Sequence, residues 1–325
     1  MRTTVQRIKF PELFFGFVAP IGADLNSVLA DFREKLAETG YQVVEIKATD
    51  VFPALKNYII PKVELSRSPL DKRYYSYISY GNQLRSHFDD DAILGVSSIR
   101  QIVQKRIRFA DITNSTPFEK TAFLIHQFKR KEEIDLLRSI YGRLFFQISV
   151  YSRKGARVDH LSRLFAKSQN VVGTSKFRSD AEALIQKDED ESDHSHGQRV
   201  AKIFHDADLI VSHDAPVSIN EQISRFCDLV FSSNSISPTH IEYGMFLAKA
   251  AALRSLDLSR QVGAAIFSQE REIISLGSNE VPKATGGTYW CDDPFDDREY
   301  MHGSDSNERR KKRNNIRSSR TIYPR

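Results

Sequence analysis

Apolar positions along this chain fall in short blocks whose spacing changes from block to block. Residues 13–19, LFFGFVA, form a continuous apolar run of strand length, the pattern of a strand covered on both faces. Pro20-Ile21-Gly22-Ala23-Asp24 then breaks it. Leu25, Val28, Leu29, Phe32 and Leu36 recur at three- and four-residue spacing, which predicts a helix ending near Gly40. Residues 42–46, QVVEI, read as a second strand. Strand, loop, helix and strand make a crossover unit that closes right-handed into a parallel sheet, with ligands expected at the carboxyl ends of the strands.

Residues 50–91 are polar and rich in tyrosine, as in KRYYSYISYGNQLR, and show no strand pattern; they are expected to form a helical insertion. The alternation resumes with strands at 122–126, 144–151 and 206–212 and a helix at 132–141. A strongly acidic stretch, KDEDESDHSHG, lies among them. A helix at 219–229 ends near FSSNSISP, whose serines and proline mark a domain boundary. Beyond it the pattern predicts a helix at 242–255 and two strands, 261–267 and 272–277, joined by a hairpin-like SQER. From Pro282 the chain is Gly- and Asp-rich loop. The expected architecture is therefore α/β throughout. Residues 1–232 form a parallel sheet with helices on both faces, 238–308 form a second and partial α/β domain, and 309–325 form a basic tail. No internal repeat is visible.

Length and composition bound the function classes. The 325 residues suffice for two domains with cores of their own, and 40% apolar with 27% charged residues is a soluble globular composition. No apolar run is long enough to span a bilayer, and the N-terminus lacks the apolar core and small-residue cleavage site of a signal peptide, so a cytoplasmic protein is expected. Two cysteines, Cys227 and Cys291, offer no disulfide framework. The net charge of +5 is concentrated at one end: RRKKRNNIRSSRTIYPR holds 8 basic and no acidic residues, leaving 39 basic against 42 acidic residues elsewhere. Such a tail is either a solvated terminus or a contact for nucleic acid phosphate.

The first candidate for chemistry is the loop after the first strand. Backbone amides and a helix N-terminus at Gly16, Gly22, Ala23 and Asp24 suit a nucleotide phosphate. A full phosphate-binding loop also carries a lysine and an adjacent hydroxyl, and both are missing. Asp24 would repel phosphate without a metal, or would simply cap the helix. The loop thus reads either as a degenerate nucleotide site or as a helix entry, and phosphoryl transfer is the weaker expectation. His194, His196, His205 and His213 stand near many carboxylates, but His-x-His in an acidic stretch is expected to be solvated loop rather than a metal site. His240-Ile241-Glu242 offers one zinc ligand and a glutamate, yet no cysteine pair accompanies it. Glu242 in a first turn is explained by the helix dipole.

A longer pattern emerges from 251–266, AALRSLDLSRQVGAAI, followed by LGSNEVPK at 276–283. Helix, Arg-Ser, Arg-Gln-Val-Gly-Ala strand, second strand and Asn-x-x-Pro loop resemble the front of a deoxycytidylate deaminase domain. With GFVAPIGADL, FLIHQFKRKEEIDLLRSIYG, GQRVAKIFHDADLIV and RFCDLVF ahead of it, the chain resembles the bacterial anti-phage deoxycytidine nucleotide deaminases. These join a degenerate P-loop, nucleoside-monophosphate-kinase-like domain to a zinc deaminase domain.

The resemblance implies hydrolytic deamination of dCMP or dCTP, a zinc cofactor, a deoxycytidine nucleotide as partner and an oligomer. It implies that Asn279 holds the nucleotide sugar and that Arg254, Arg260 and Gln261 border the pocket. An asparagine amide can both donate to and accept from a sugar hydroxyl. Arg254 and Arg260 could equally tie helix to strand, and Asn279 could merely turn the loop. The His-x-Glu and Pro-Cys-x-x-Cys expected behind the Asn-x-x-Pro loop do not follow Pro282, so no catalytic or metal residue is assigned. The expectation is a truncated member, inactive by itself as a hydrolase, that binds no zinc and has an aggregation-prone segment after Pro282. The alternative is a non-enzymatic nucleotide- or RNA-binding module built on the first domain, with a working nucleotide kinase as a third reading.

Overall fold

The apolar run at the start becomes the middle of a five-stranded sheet. The computed structural model describes residues 10–113, 119–189, 191, 197–284, 286–305 and 309–311. Strands β1 (Leu13–Val18), β2 (Gln42–Lys47), β3 (Thr121–His126), β4 (Phe145–Tyr151) and β5 (Leu209–Ser212) pair in the order β2-β3-β1-β4-β5, all parallel. Phe15 registers with Leu124 on one side and Phe146 on the other. Between and after the strands run α1 (Leu25–Glu38), α2 (Phe52–Leu55), α3 (Leu70–Phe88), α4 (Ile93–Thr113), α5 (Lys131–Tyr141), α6 (Lys154–Ser168), α7 (Arg178–Glu189), α8 (Val200–Ile203) and α9 (Ile219–Val230).

Side-chain alternation in β1 explains the two-faced burial. Leu13, Phe15 and Phe17 point to one side, where Val28, Leu29, Phe32 and Leu36 of α1 and Ile223 and Cys227 of α9 cover them. Phe14 and Val18 point to the other, packed with Phe123, Ile125 and Phe145, Ile102 of α4, and Ile134 and Leu137 of α5. Each fully buried phenylalanine contributes about 1.5–3 kcal/mol by removal from water, so the sheet centre dominates the stability of this unit. Gly16, expected in the phosphate loop, lies instead inside this strand. A methyl group on it would sit 2.5 Å from the Phe145 ring, so the glycine makes room for that ring. The expected insertion at 50–91 contains α2 and α3 and no strand.

The chain divides into two compact units, Met1–Ser233 and Asn234–Arg325. In the second, α10 (His240–Ala252) precedes the antiparallel pair β6 (Gly263–Phe267) and β7 (Ile273–Ser278), and α11 (Glu299–His302) follows. Thr239 and Glu242 form a reciprocal capping box at the start of α10: the Thr239 amide donates to Glu242 Oε2 (2.6 Å) and the Glu242 amide to Thr239 Oγ1 (3.2 Å). The His-x-Glu is thus a helix entry. Gly263 lets α10 close onto β6, since a Cβ there would fall 1.9 Å from the Ala248 carbonyl oxygen. The expected strand 261–267 starts two residues late because the Asn279 side chain, not a neighbouring strand, takes the Val262 amide. Among the described residues of this unit the buried ones are Ser255, Glu280 and Arg298, all polar, while Ile241, Phe246, Ile274 and Leu276 are exposed. No helix among the described residues is long and apolar enough to cross a membrane.

Candidate functional site

Topology points to one place in the first unit. The helix after β1 packs on one face of the sheet and the helix after β3 packs on the other, so the loops leaving these adjacent strands diverge. A crevice opens at such a switch point, beyond the carboxyl ends of the strands. A cleft with about 870 Å³ of empty space, counted out to open solvent, lies there. Its lining includes residues 19–23 after β1, Thr49 after β2, and Gln127 and Lys129 after β3.

One wall is α3. Arg73, Tyr74, Tyr77, Gly81 and Arg85 recur at helical spacing and all line the cleft. Arg73 lies over the Tyr77 ring, 4.7 Å from its centroid, and has no ion-pair partner among the described residues. It also helps to push the Lys47 ammonium, at the end of β2, below the usual lysine range, burial being the larger cause. Burial raises the Tyr74 phenol above its ordinary value, so this ring is neutral near pH 7. Deeper in, Arg85 is buried and spent on Glu133 Oε1 (2.7 Å) and Asn82 Oδ1 (3.2 Å). Gln127 adopts a left-handed backbone (φ 76°) and accepts a hydrogen bond from Thr49 Oγ1. Strained non-glycine backbone of this kind clusters at ligand sites.

The loop after β1 is occupied by the protein itself. The Ile21 amide donates to Asp188 Oδ2 at 2.6 Å, and Lys129 Nζ lies 2.8 Å from Asp188 Oδ1 while donating to the Ala19 carbonyl at 2.9 Å. Asp188 is fully buried near the C-terminal end of α7. A lysine from the loop after β3 thus stands against the loop after β1, which has none of its own. Gly22 (φ +88°) packs under α6, its carbonyl facing His160 Nδ1 at 3.1 Å, and a Cβ there would be 2.7 Å from the Arg157 carbonyl. Ala23 closes a turn onto the Pro20 carbonyl. Asp24 is the cap of α1, accepting from the Ser27 amide at 3.4 Å, and its own carbonyl faces His213 Nε2 at 3.0 Å. Of the four loop residues expected at a nucleotide, Gly22 and Ala23 line the cleft, Asp24 is a cap and Gly16 is strand core.

The four residues implied at a deoxycytidine pocket lie in the second unit. Asn279 uses both ends of its amide locally: Oδ1 accepts from the Val262 amide (2.8 Å) and Nδ2 donates to the Arg260 carbonyl (2.7 Å). Gln261 donates to the Asp257 carbonyl. Arg254 donates to Thr288 Oγ1 at 2.6 Å and stacks 3.4 Å from the Trp290 ring centroid. Asn279 borders a shallow depression with Leu256, Asp257, Glu280, Val281 and Glu299, which Arg254, Arg260 and Gln261 do not line. The zinc implied by the resemblance finds no fitting ligand set, since no three His, Cys, Asp or Glu side chains among the described residues converge on one point. His194 and His196 lie outside the described residues, as does most of the basic tail.

Arg73, Lys129 and Asp188 are the site residues that sequence reasoning missed. A period of three to four from Arg73 through Tyr77 and Tyr80 to Leu84 is legible in the tyrosine-rich segment; the meeting of Lys129 with Asp188 is not.

No family model matches this chain, and no curated protein does. Solved structures similar to it include an APS kinase of Mycobacterium tuberculosis in complex with AMPPNP and APS. That kinase is 16% identical, with 69% of this chain and 99% of the kinase covered and a TM-score of 0.32. A shikimate kinase of Acinetobacter baumannii in complex with shikimate is 7% identical over 70% of this chain and 96% of its own, with a TM-score of 0.30. The chemistry of the cleft is therefore read from this chain's own residues.

Proposed function

We propose that residues 1–233 bind a nucleotide in the cleft beside α3 and hold it without transferring phosphate. The observation that carries this reading is the pairing of Arg73, a cation facing the cleft with no ion-pair partner among the described residues, with the rings of Tyr74 and Tyr77 on the same helix face. A planar base stacks on an aromatic ring, and a guanidinium takes a phosphate through two parallel hydrogen bonds. Phosphoryl transfer is disfavoured because the loop after β1 offers neither its own lysine nor a hydroxyl beside it, and Asp24 is committed to capping α1. A regulatory or sensing role follows.

The residue order at 251–283, with its resemblance to deoxycytidylate deaminases, favours a deoxycytidine nucleotide as the ligand of the second unit, so deoxycytidine nucleotides head the ligands to be tried on the chain. Deamination by the second unit is the further step of that reading, and it requires zinc ligands beyond those described. Titration calorimetry of the full chain with dCMP, dCTP, dTMP and CMP tests the proposal. Wild type is expected to bind at least one deoxynucleotide, and Arg73→Ala to weaken it by at least about tenfold, the value of one charge-assisted contact. Equal binding by Arg73→Ala, or no binding of any of the four at millimolar concentration, overturns it.

A further inference from the structure

The described carboxylates of the acidic stretch after residue 186, Asp188, Glu189 and Glu191, are all paired. Asp188 reaches the Ile21 amide and Lys129, Glu189 pairs with Arg157 Nη2, and Glu191 accepts from Asn82 Nδ2 (2.8 Å) and lies 3.1 Å from Lys187 Nζ. Three carboxylates in four positions thus meet the loop after β1, α6 and α3 in turn. Asp188 stands in a costly place, because a carboxylate at the last turn of a helix faces the negative end of the helix dipole and burial strips its water. Its compensation comes from two sides: the Ile21 amide donates to Oδ2, and the Lys129 ammonium lies 2.8 Å from Oδ1 as an ion pair. What surrounds it, a loop amide and a lysine at the switch-point cleft, is the donor set that an anion site supplies to phosphate.

We propose that the Ile21 amide and Lys129 form a phosphate subsite of the cleft, and that Asp188 fills it as an internal stand-in for the ligand's phosphate. The subsite rests on the cleft being the nucleotide site proposed above, and it extends that site from Arg73 to the opposite wall. A phosphate with two or more charges competes with one carboxylate for the same donors, and it enters as the end of α7 withdraws. Nucleotide entry and the docking of Asp188, Glu189 and Glu191 are therefore mutually exclusive. Occupancy of the cleft is reported to the outside of the unit as release of this segment.

Inorganic pyrophosphate is the probe, titrated into the full chain by calorimetry. Asp188→Asn keeps an acceptor for the Ile21 amide and removes the competing charge, so pyrophosphate is expected to bind at least about tenfold more tightly than to wild type. Adding Lys129→Met to Asp188→Asn is expected to return the affinity to the wild-type value. A folded Asp188→Asn with wild-type affinity, or a gain that survives Lys129→Met, overturns the proposal. Should Asp188→Asn fail to fold, Glu189→Gln with Glu191→Gln loosens the same segment from its more accessible contacts. A gain of several-fold in pyrophosphate binding supports the proposal, and an unchanged affinity overturns it. These outcomes are independent of the nucleotide titration, in which the Arg73 side of the cleft stands or falls by itself.

Discussion

Cys227 and Cys291 illustrate how far one residue type can diverge in one chain. Cys227, on α9, is buried against the sheet and α1, and burial pushes its thiol up to about 12. At pH 8 the thiolate, the reactive form, is then only about 10⁻⁴ of the population, and reagent has no path to it. Cys291 is exposed. Ellman's reagent at pH 8 is expected to titrate one thiol per native chain, at Cys291, and two after denaturation; two fast thiols in the native protein would show that α9 is not seated on the core. The same contrast of place over type runs through the charged residues. Arg73 and Arg85 lie on one helix face, yet Arg85 is neutralised by Glu133 and Arg73 is left to the cleft. Asn279 was expected at a nucleotide sugar from its position in the Asn-x-x-Pro loop. Its amide is consumed in fastening the start of β6, the reading of that residue as a loop-turning one.

Among the elements, the loop between β1 and α1 carries the clearest mechanical consequence. Gly22 is held at φ +88° with the α6 backbone pressed against it. Gly22→Ala therefore meets two penalties, the left-handed conformation and a clash with the Arg157 carbonyl, and is expected to cost on the order of 2–4 kcal/mol. Gly155, in the first turn of α6 with open space around it, is the internal control: Gly155→Ala is expected to stabilise by about 0.4–1 kcal/mol by reducing the freedom of the unfolded chain. Urea midpoints of the two variants should move in opposite directions. Helices and strands themselves were largely legible, since β1, β2, β3 and β4, α1, α5, α9 and α10 all announce themselves by apolar period or capping residues. The helices at 93–113, 154–168 and 178–189 are not announced in this way. In α6, Arg157 and Ser162 share the buried side with Val158 and Phe165, and polar residues at buried positions blur the apolar period.

For the whole molecule, the two units differ in what holds them. The first has a sheet covered on both faces by aromatic and aliphatic side chains. The second buries no apolar side chain among its described residues, and its stability comes from the capping box, the close fit of α10 on Gly263 and a buried Glu280–Arg298 pair at 3.5 Å. Buried ion pairs contribute little net stability, and exposed apolar residues in number favour association. Residues 234–325 expressed alone are accordingly expected to melt without a cooperative transition and to bind the dye ANS, whereas residues 1–233 alone should unfold cooperatively. A sharp calorimetric peak from the isolated 234–325 segment would refute this.

Local order in this protein is set by the chain itself. A strand covered on both faces needs a continuous apolar run, and a helix lying on it needs an apolar stripe of period 3.6; both are properties of neighbouring residues, so β1, α1 and the α/β class follow from the string of letters. The cleft is another matter. Asp188 reaches the Ile21 amide across 167 residues, and Lys129 arrives there only because β3 pairs directly with β1. Nothing in KDEDESDHSHG distinguishes a carboxylate that will be buried from one that will be solvated, because the difference lies in which loop the helix end comes to face. In sequence the segment between β1 and α1 reads as a loop without a lysine. Only the strand order, which sets one loop's amide beside another's ammonium, decided that a lysine stands there after all, with the chain's own carboxylate in its grip.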